Sequence, residues 1–177
     1  MRALDCATPH TSHCLASGEV MVSVMGDQFG AGKGEFVLID PDKLEIKGVW
    51  AGKGKEAKFG YDFWYQPYWD IMVSSEWGAP RSFKCGFLPE KVNEPSKEIN
   101  FSSKKSKFST KNFLFLAEYG KSINFFSWKD RKLLQTIDLG EEGTAPLEIR
   151  FLHDPRASQG FVGCAVHAKV FRYKKFT

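Results

Sequence analysis

Short runs of apolar residues, cut every few positions by Gly, Pro and Asp, predict a chain built almost wholly of β-strands. Val20–Met25 alternates and reads as a strand. Phe36–Asp40 and Leu44–Trp50 read as a hairpin closed by Pro41, Asp42 and Lys43, residues suited to a tight turn. Asp62–Gln66 and Ile71–Ser75 follow. Ile123–Trp128 and Leu133–Leu139 flank the turn Lys129-Asp130-Arg131. Leu147–Leu152, Phe161–Val166 and Lys169–Tyr173 complete the series. No stripe of 3.6-residue period runs along the chain, so helix is a minor component.

The strands repeat. Val20-Met21-Val22-Ser23, Ile71-Met72-Val73-Ser74 and Phe161-Val162-Gly163-Cys164 read as one strand in three successive units. The hairpin from Val37 to Trp50 likewise matches that from Phe125 to Leu139. Roughly four strands per unit is the spacing of propeller blades, and about two and a half blades fit. A closed propeller takes about 4–8 blades, so the expected fold is all-β: an incomplete β-propeller of two to three four-stranded blades, an open ring with unpaired edges. A β-sandwich is the alternative. One domain spans 1–177, interrupted by Glu94–Phe115, whose Lys/Ser/Asn/Phe bias lacks strand alternation and reads as an atypical, partly disordered insertion.

Composition narrows the function classes. The chain has 177 residues, 15% of them aromatic, and a formal charge of +4. That length suits one core. The basic excess falls largely on Lys104, Lys105, Lys107 and Lys111, which read as a solvated loop rather than the basic, aromatic-laced face that nucleic acid needs. Cys6, Cys14, Cys85 and Cys164 form no CxxC pair and no dense disulfide scaffold. No apolar run approaches the ~20 residues of a membrane span. A soluble, intracellular chain with reduced thiols is expected.

Candidate chemistry centres on Pro9-His10-Thr11-Ser12-His13-Cys14. Imidazole and thiol together suit copper or zinc. On a regular strand the odd separation of His10 and His13 sends them to opposite faces, with Cys14 sharing His10's face; in a loop both imidazoles converge. His153 precedes Phe161 by nearly the offset at which His13 precedes Val20, so His13 and His153 are expected to line one channel. The simpler alternatives are that His153 caps the Asp154-Pro155 turn and His10 packs near Pro9. His167 reads as a surface residue and Cys164 as a small core residue. Gly30–Gly34 is a loop between strands, lacking the Ser/Thr and helix of a phosphate loop. Glu19, Glu76 and Glu148 are scattered, with no carboxylate pair for hydrolysis.

Three long runs carry a resemblance: Ala7–Met21, Gly60–Pro67, and Pro146–Pro155 continued by Gln159–Ala165. They resemble the selenium-binding protein family, which includes methanethiol oxidases, and the resemblance covers nearly the whole chain except about 92–117. The chain looks like the middle portion of a family member. The resemblance implies a β-propeller that binds selenium and, in its enzyme members, uses copper and O2 to oxidise methanethiol to formaldehyde, hydrogen sulfide and hydrogen peroxide. It implies His13 first and His10 second as metal ligands; His153 is added by the repeat offset. The catalytic residues and the selenium-binding thiol remain unassigned. The family's other histidines and the cysteine proposed to attach selenium have no counterpart here, so an incomplete site and little or no turnover by the chain alone are expected. The expected partners are a small thiol substrate and proteins docking on open sheet edges, without nucleic acid or membrane span, and the expected location is the cytoplasm, with the nucleus as a second compartment. A non-catalytic interaction module is the alternative function.

Overall fold

The computed structural model describes residues 1–52, 57–84 and 119–174. The insertion read at Glu94–Phe115, the lysine cluster and Cys85 lie outside the described residues. Eleven strands make three antiparallel sheets, and no α-helix occurs among the described residues. The first sheet holds β1 (Ala7–Cys14), β2 (Val20–Gly26), β3 (Gly32–Asp40) and β4 (Glu45–Val49) in sequence order. The second holds β5 (Phe63–Gln66), β6 (Ile71–Ser75), β7 (Ser122–Ser127) and β8 (Lys132–Asp138). The third holds β9 (Pro146–Phe151), β10 (Gln159–Cys164) and β11 (Lys169–Lys174).

The repeated tetrapeptides fall on β2, β6 and β10, the second strand of each sheet. Their shared pattern reflects a shared position, covered by strands on both sides and by a neighbouring sheet. The hairpin turns repeat as well. Leu44, Asp70, Arg131 and Ala168 each adopt positive φ, between 49° and 55°, immediately before the returning strand. A single left-handed residue there reverses the chain in few positions. At β3–β4 the Asp40 carboxylate accepts the Asp42 and Lys43 N–H groups, both at 3.1 Å, and holds the predicted turn.

Period-two alternation explains how the sheets stack. On the second sheet Met72 and Phe126 face one way, joining Met21, Phe36, Leu38 and Trp50 of the first sheet and its flank. Ile71, Val73, Ile123 and Phe125 face the other way, joining Ile149, Phe151, Val162 and Tyr173 of the third. The middle sheet is thus buried on both faces, which is why β6 is buried at all five positions. The outward strands β4 and β8 are largely exposed.

The first strands of successive sheets lie side by side. β9 packs against β5, and His13 of β1 bonds the Phe63 carbonyl of β5. Two close approaches allow this. A Cβ on Gly60 would run into the Val24 carbonyl, and one on Gly34 into the Phe59 carbonyl. Phe126 is fully buried where Phe36 and Trp50 meet it edge-on. Truncation to Phe126→Ala opens a cavity between two sheets and is expected to cost about 3–5 kcal/mol in chemical denaturation, cooperativity being retained.

Candidate functional site on the first strands

β1 is a strand, but not a regular one. Its pairing with β2 shifts between Pro9 (opposite Val24) and Ser12 (opposite Val22), so β1 spends three residues where β2 spends two. Such a bulge reverses the alternation beyond it. It therefore corrects the expectation that His10 and His13 diverge: both turn toward the second sheet. His10 stacks on Tyr61 at 3.7 Å, and His13 meets Phe63 and Trp64 edge-on at 4.7 and 4.9 Å. Cys14, paired opposite Val20, takes the other side from His13 and is exposed.

Buried Ser23 holds the bulge. Its hydroxyl accepts the Thr11 N–H at 3.0 Å and donates to the Tyr61 carbonyl at 2.6 Å. Ser75 on β6 makes the equivalent tie one sheet further on. It accepts the Asp62 N–H at 3.3 Å and donates to the Leu147 carbonyl of β9 at 2.5 Å. A second-strand serine thus locks each first strand to the sheet before it.

Asp62, fully buried, completes the rim. Its Oδ2 accepts the Ile149 N–H at 2.9 Å and an Arg150 guanidinium N–H. Arg150 in turn lies over the Trp64 ring, 4.6 Å from its centroid, a cation–π contact on the ring that His13 meets edge-on. One chain of contacts therefore runs from β9 through β5 to β1.

The two imidazoles are held neutral. Loss of solvation lowers the pKa of both below 6.5, opposed for each by the charge of Asp62. The His13 Nε2–H donates to the Phe63 carbonyl at 3.1 Å, which fixes the tautomer and leaves Nδ1 as the acceptor. His10 Nδ1 pairs with the Thr11 hydroxyl at 2.9 Å. His153 sits apart from this pair, in the exposed turn after β9, and His167 is exposed in the β10–β11 turn. The turn holding His153 is capped by its own aspartate: Asp154 Oδ1 accepts the Arg156 N–H at 2.8 Å.

Among the described residues no group of three or more His, Cys, Asp or Glu side chains is placed to share an ion. Two imidazoles, each with one nitrogen engaged, fall short of a copper site. The buried thiols are poor candidates for selenium: burial raises the pKa of Cys6, and that of Cys164 to about 11, which disfavours the reactive thiolate.

Sequence reasoning located His10 and His13 but missed Tyr61, Asp62, Trp64 and Arg150 as their neighbours. The matching positions of the second-strand tetrapeptides carried the one available signal, because they place Gly60–Pro67 beside β1.

An all-β stack whose first strands gather imidazole, carboxylate, guanidinium and indole defines a class, and comparison with known proteins gives the family. The family model described as 56kDa selenium binding protein (SBP56) matches residues 1–177. The chain belongs to that family. It is 48% identical over 169 residues to a methanethiol oxidase of Xenopus laevis, covering 96% of this chain and 31% of that protein. Selenium-binding protein 2 of Mus musculus is 46% identical over 166 residues, covering 94% of this chain and 30% of that protein. An X-ray structure of a hypothetical selenium-binding protein from Sulfolobus tokodaii superposes with a TM-score of 0.70 at 25% identity, covering 97% of this chain and 36% of that one. The chain thus spans about a third of the length of these relatives. No helix among the described residues is long and apolar enough to cross a membrane.

Two outcomes follow. Arg150→Met strands the Asp62 carboxylate in a buried position with one backbone donor, and is expected to lower unfolding free energy by about 2–3 kcal/mol. His13 is kept neutral by folding, so an unfolded chain takes up its proton first. Its contribution is complete above the ordinary value of 6.5 and is lost as pH falls toward the lowered folded pKa. Urea midpoints measured at about pH 7.5 and about pH 5.5 should therefore drop on acidification, and drop less in His13→Gln.

Proposed function

We propose that the chain forms an arc of a selenium-binding, methanethiol-oxidase-like propeller, and that the rim made by β1, β5 and β9 holds a small thiol or selenium species. The observation that carries this reading is the 48% identity, over 96% of the chain, to a protein named methanethiol oxidase. Adjacent first strands carrying His10, His13, Asp62 and Arg150 support it, because a propeller turns such strands toward its axis.

The chain's own residues have definite tasks in this reading. His13, with Nε2–H tied to Phe63, receives the thiol proton at Nδ1, since a thiol of pKa about 8.5 binds and reacts as its thiolate. Arg150, anchored by Asp62, holds a cation beside the rim to stabilise that thiolate. Trp64 and Tyr65 flank His13 and exclude water on that side. Copper would supply the redox chemistry with O2, held by His13 and His10 only if donors from outside the described residues joined them. The site is then incomplete in these 177 residues. In this reading the protein resides in the cytoplasm, with the nucleus as a second compartment, and its sheet edges are open to protein partners.

The test is a pair of measurements. Peroxide and sulfide release from methanethiol with added copper should be weak or absent for the 177-residue chain. Copper titration should show binding that weakens on His13→Ala and further on His10→Ala, with His153→Ala tested alongside. Binding unchanged by His10→Ala and His13→Ala together would overturn the assignment and favour a non-catalytic interaction module.

A further inference from the structure

The first two sheets each hold four strands, and the third holds three. No strand lies beyond β11 among the described residues. β11 therefore stands uncovered in the place that β3 and β7 occupy beneath β4 and β8. Beside this edge a cavity of about 420 Å³ opens between the second and third sheets, lined by Ile123, Ile137, Leu139, Phe171 and Tyr173. Arg172 and Lys174 complete its wall. At the junction of the first and second sheets a fourth strand covers the third: β8 pairs with β7, and the Thr136 hydroxyl donates to the Asn124 side-chain carbonyl at 2.6 Å. The third sheet has no counterpart of β8 among the described residues.

Tyr173 helps to keep the space open. Its ring lies across Gly160, where a Cβ would run into it, and its hydroxyl donates to the Arg150 carbonyl at 2.9 Å. The ring thus points back toward β9 instead of out over the edge. An unpaired edge beside an apolar hollow is the arrangement that accepts an added strand. The backbone bonds the ladder, and alternate side chains enter the hollow.

Charge selects the occupant. On the other face of the sheet Arg150, Phe161 and Arg172 form one cross-strand row, and Lys174 follows two residues on. Lys169 is already paired with Glu142 at 3.1 Å. Arg172 and Lys174 are exposed and form no ion pair among the described residues. β11 carries no acid of its own, so pairing it with a second copy brings cations together across the ladder, which is unfavourable.

We propose that the β11 edge binds an extended segment of a partner protein in which acidic and aliphatic residues alternate. The aliphatic side chains enter the cavity, and the acidic ones face Arg172 and Lys174. This assignment rests on the reading of sheet edges open to protein partners and is independent of the thiol site.

The probe is the capped peptide Glu-Val-Glu-Ile-Glu-Val, titrated calorimetrically into the 177-residue chain without methanethiol or copper. Saturable binding is expected, with slowed hydrogen exchange of alternate β11 amides. Arg172→Glu combined with Lys174→Glu, both at exposed positions, should weaken binding by about tenfold or more and should create affinity for the peptide with Lys in place of Glu. Two further peptides are N-methylated at odd or at even residues. Only the set that removes the donors facing β11 should lose binding. No saturation up to about 1 mM peptide, equal binding of the two methylated peptides, or affinity unchanged by the double reversal would overturn the proposal. So would a dimer of the chain that excludes the peptide in sedimentation. Copper binding by the doubly reversed chain should equal the parent's, so failure at this edge and failure of the thiol reading are told apart.

Discussion

The buried carboxylate of Asp62 is the constraint on which the rim depends. A charged group removed from water must be bonded or it destabilises the fold. Asp62 meets that demand at Oδ2 alone, with donors from the next sheet, the Ile149 N–H and the Arg150 guanidinium, while its Oδ1 is buried without a hydrogen-bond partner. The second and third sheets cannot slide past each other without leaving it unpaired. Ser75, bridging the Asp62 N–H and the Leu147 carbonyl, fixes the same junction from the other side. Apolar packing supplies the adhesion between sheets, but it tolerates small shifts; directional bonds at the first strands set the register.

The junction between the first and second sheets uses a different device for the same end. There the bulge in β1 leaves the Thr11 N–H without a ladder partner, and Ser23 accepts it while donating to the Tyr61 carbonyl. The bulge thereby does two things. It ties β1 to the segment entering β5, and it puts His10 and His13 on one side of the strand. Without the extra residue one imidazole would sit among the solvent-facing groups and the pair would not exist.

Much of this fold was legible in the sequence, and the reason is local. β2, β6 and β10 announce themselves because each is sandwiched between strands and against another sheet, so burial leaves the same apolar alternation in all three. The turns were equally clear, since Asp40 and the residues after it satisfy their own backbone groups. β1 was ambiguous because half its residues are exposed and a bulge breaks its period, the very irregularity that gives the histidines their common side. The offset between His153 and Phe161 is a chain distance that includes the β9–β10 turn, so it placed His153 at a strand end and not in line with His13. The Asp62–Arg150 pair was invisible, because a bond across 88 residues has no signature in spacing.

The distribution of ring types argues that the first-strand side of the stack differs in kind from its core. Phe36, Phe63, Phe125, Phe126 and Phe151 fill most of the space between sheets at depth, joined there by Trp50 and by Tyr173, whose hydroxyl donates to the Arg150 carbonyl. Toward the first strands the rings become Tyr61, Trp64 and Tyr65, and the Tyr65 hydroxyl there donates to the Cys14 carbonyl. These rings do not merely line the rim. Trp64 carries the Arg150 cation on its face and presents its edge to His13, so it couples the charge on β9 to the imidazole on β1 through a group that does not itself titrate. Substituting it with an aliphatic residue would preserve the burial and remove the coupling. The identity of that one ring is therefore set by electrostatics, where the neighbouring Phe63 is set by volume.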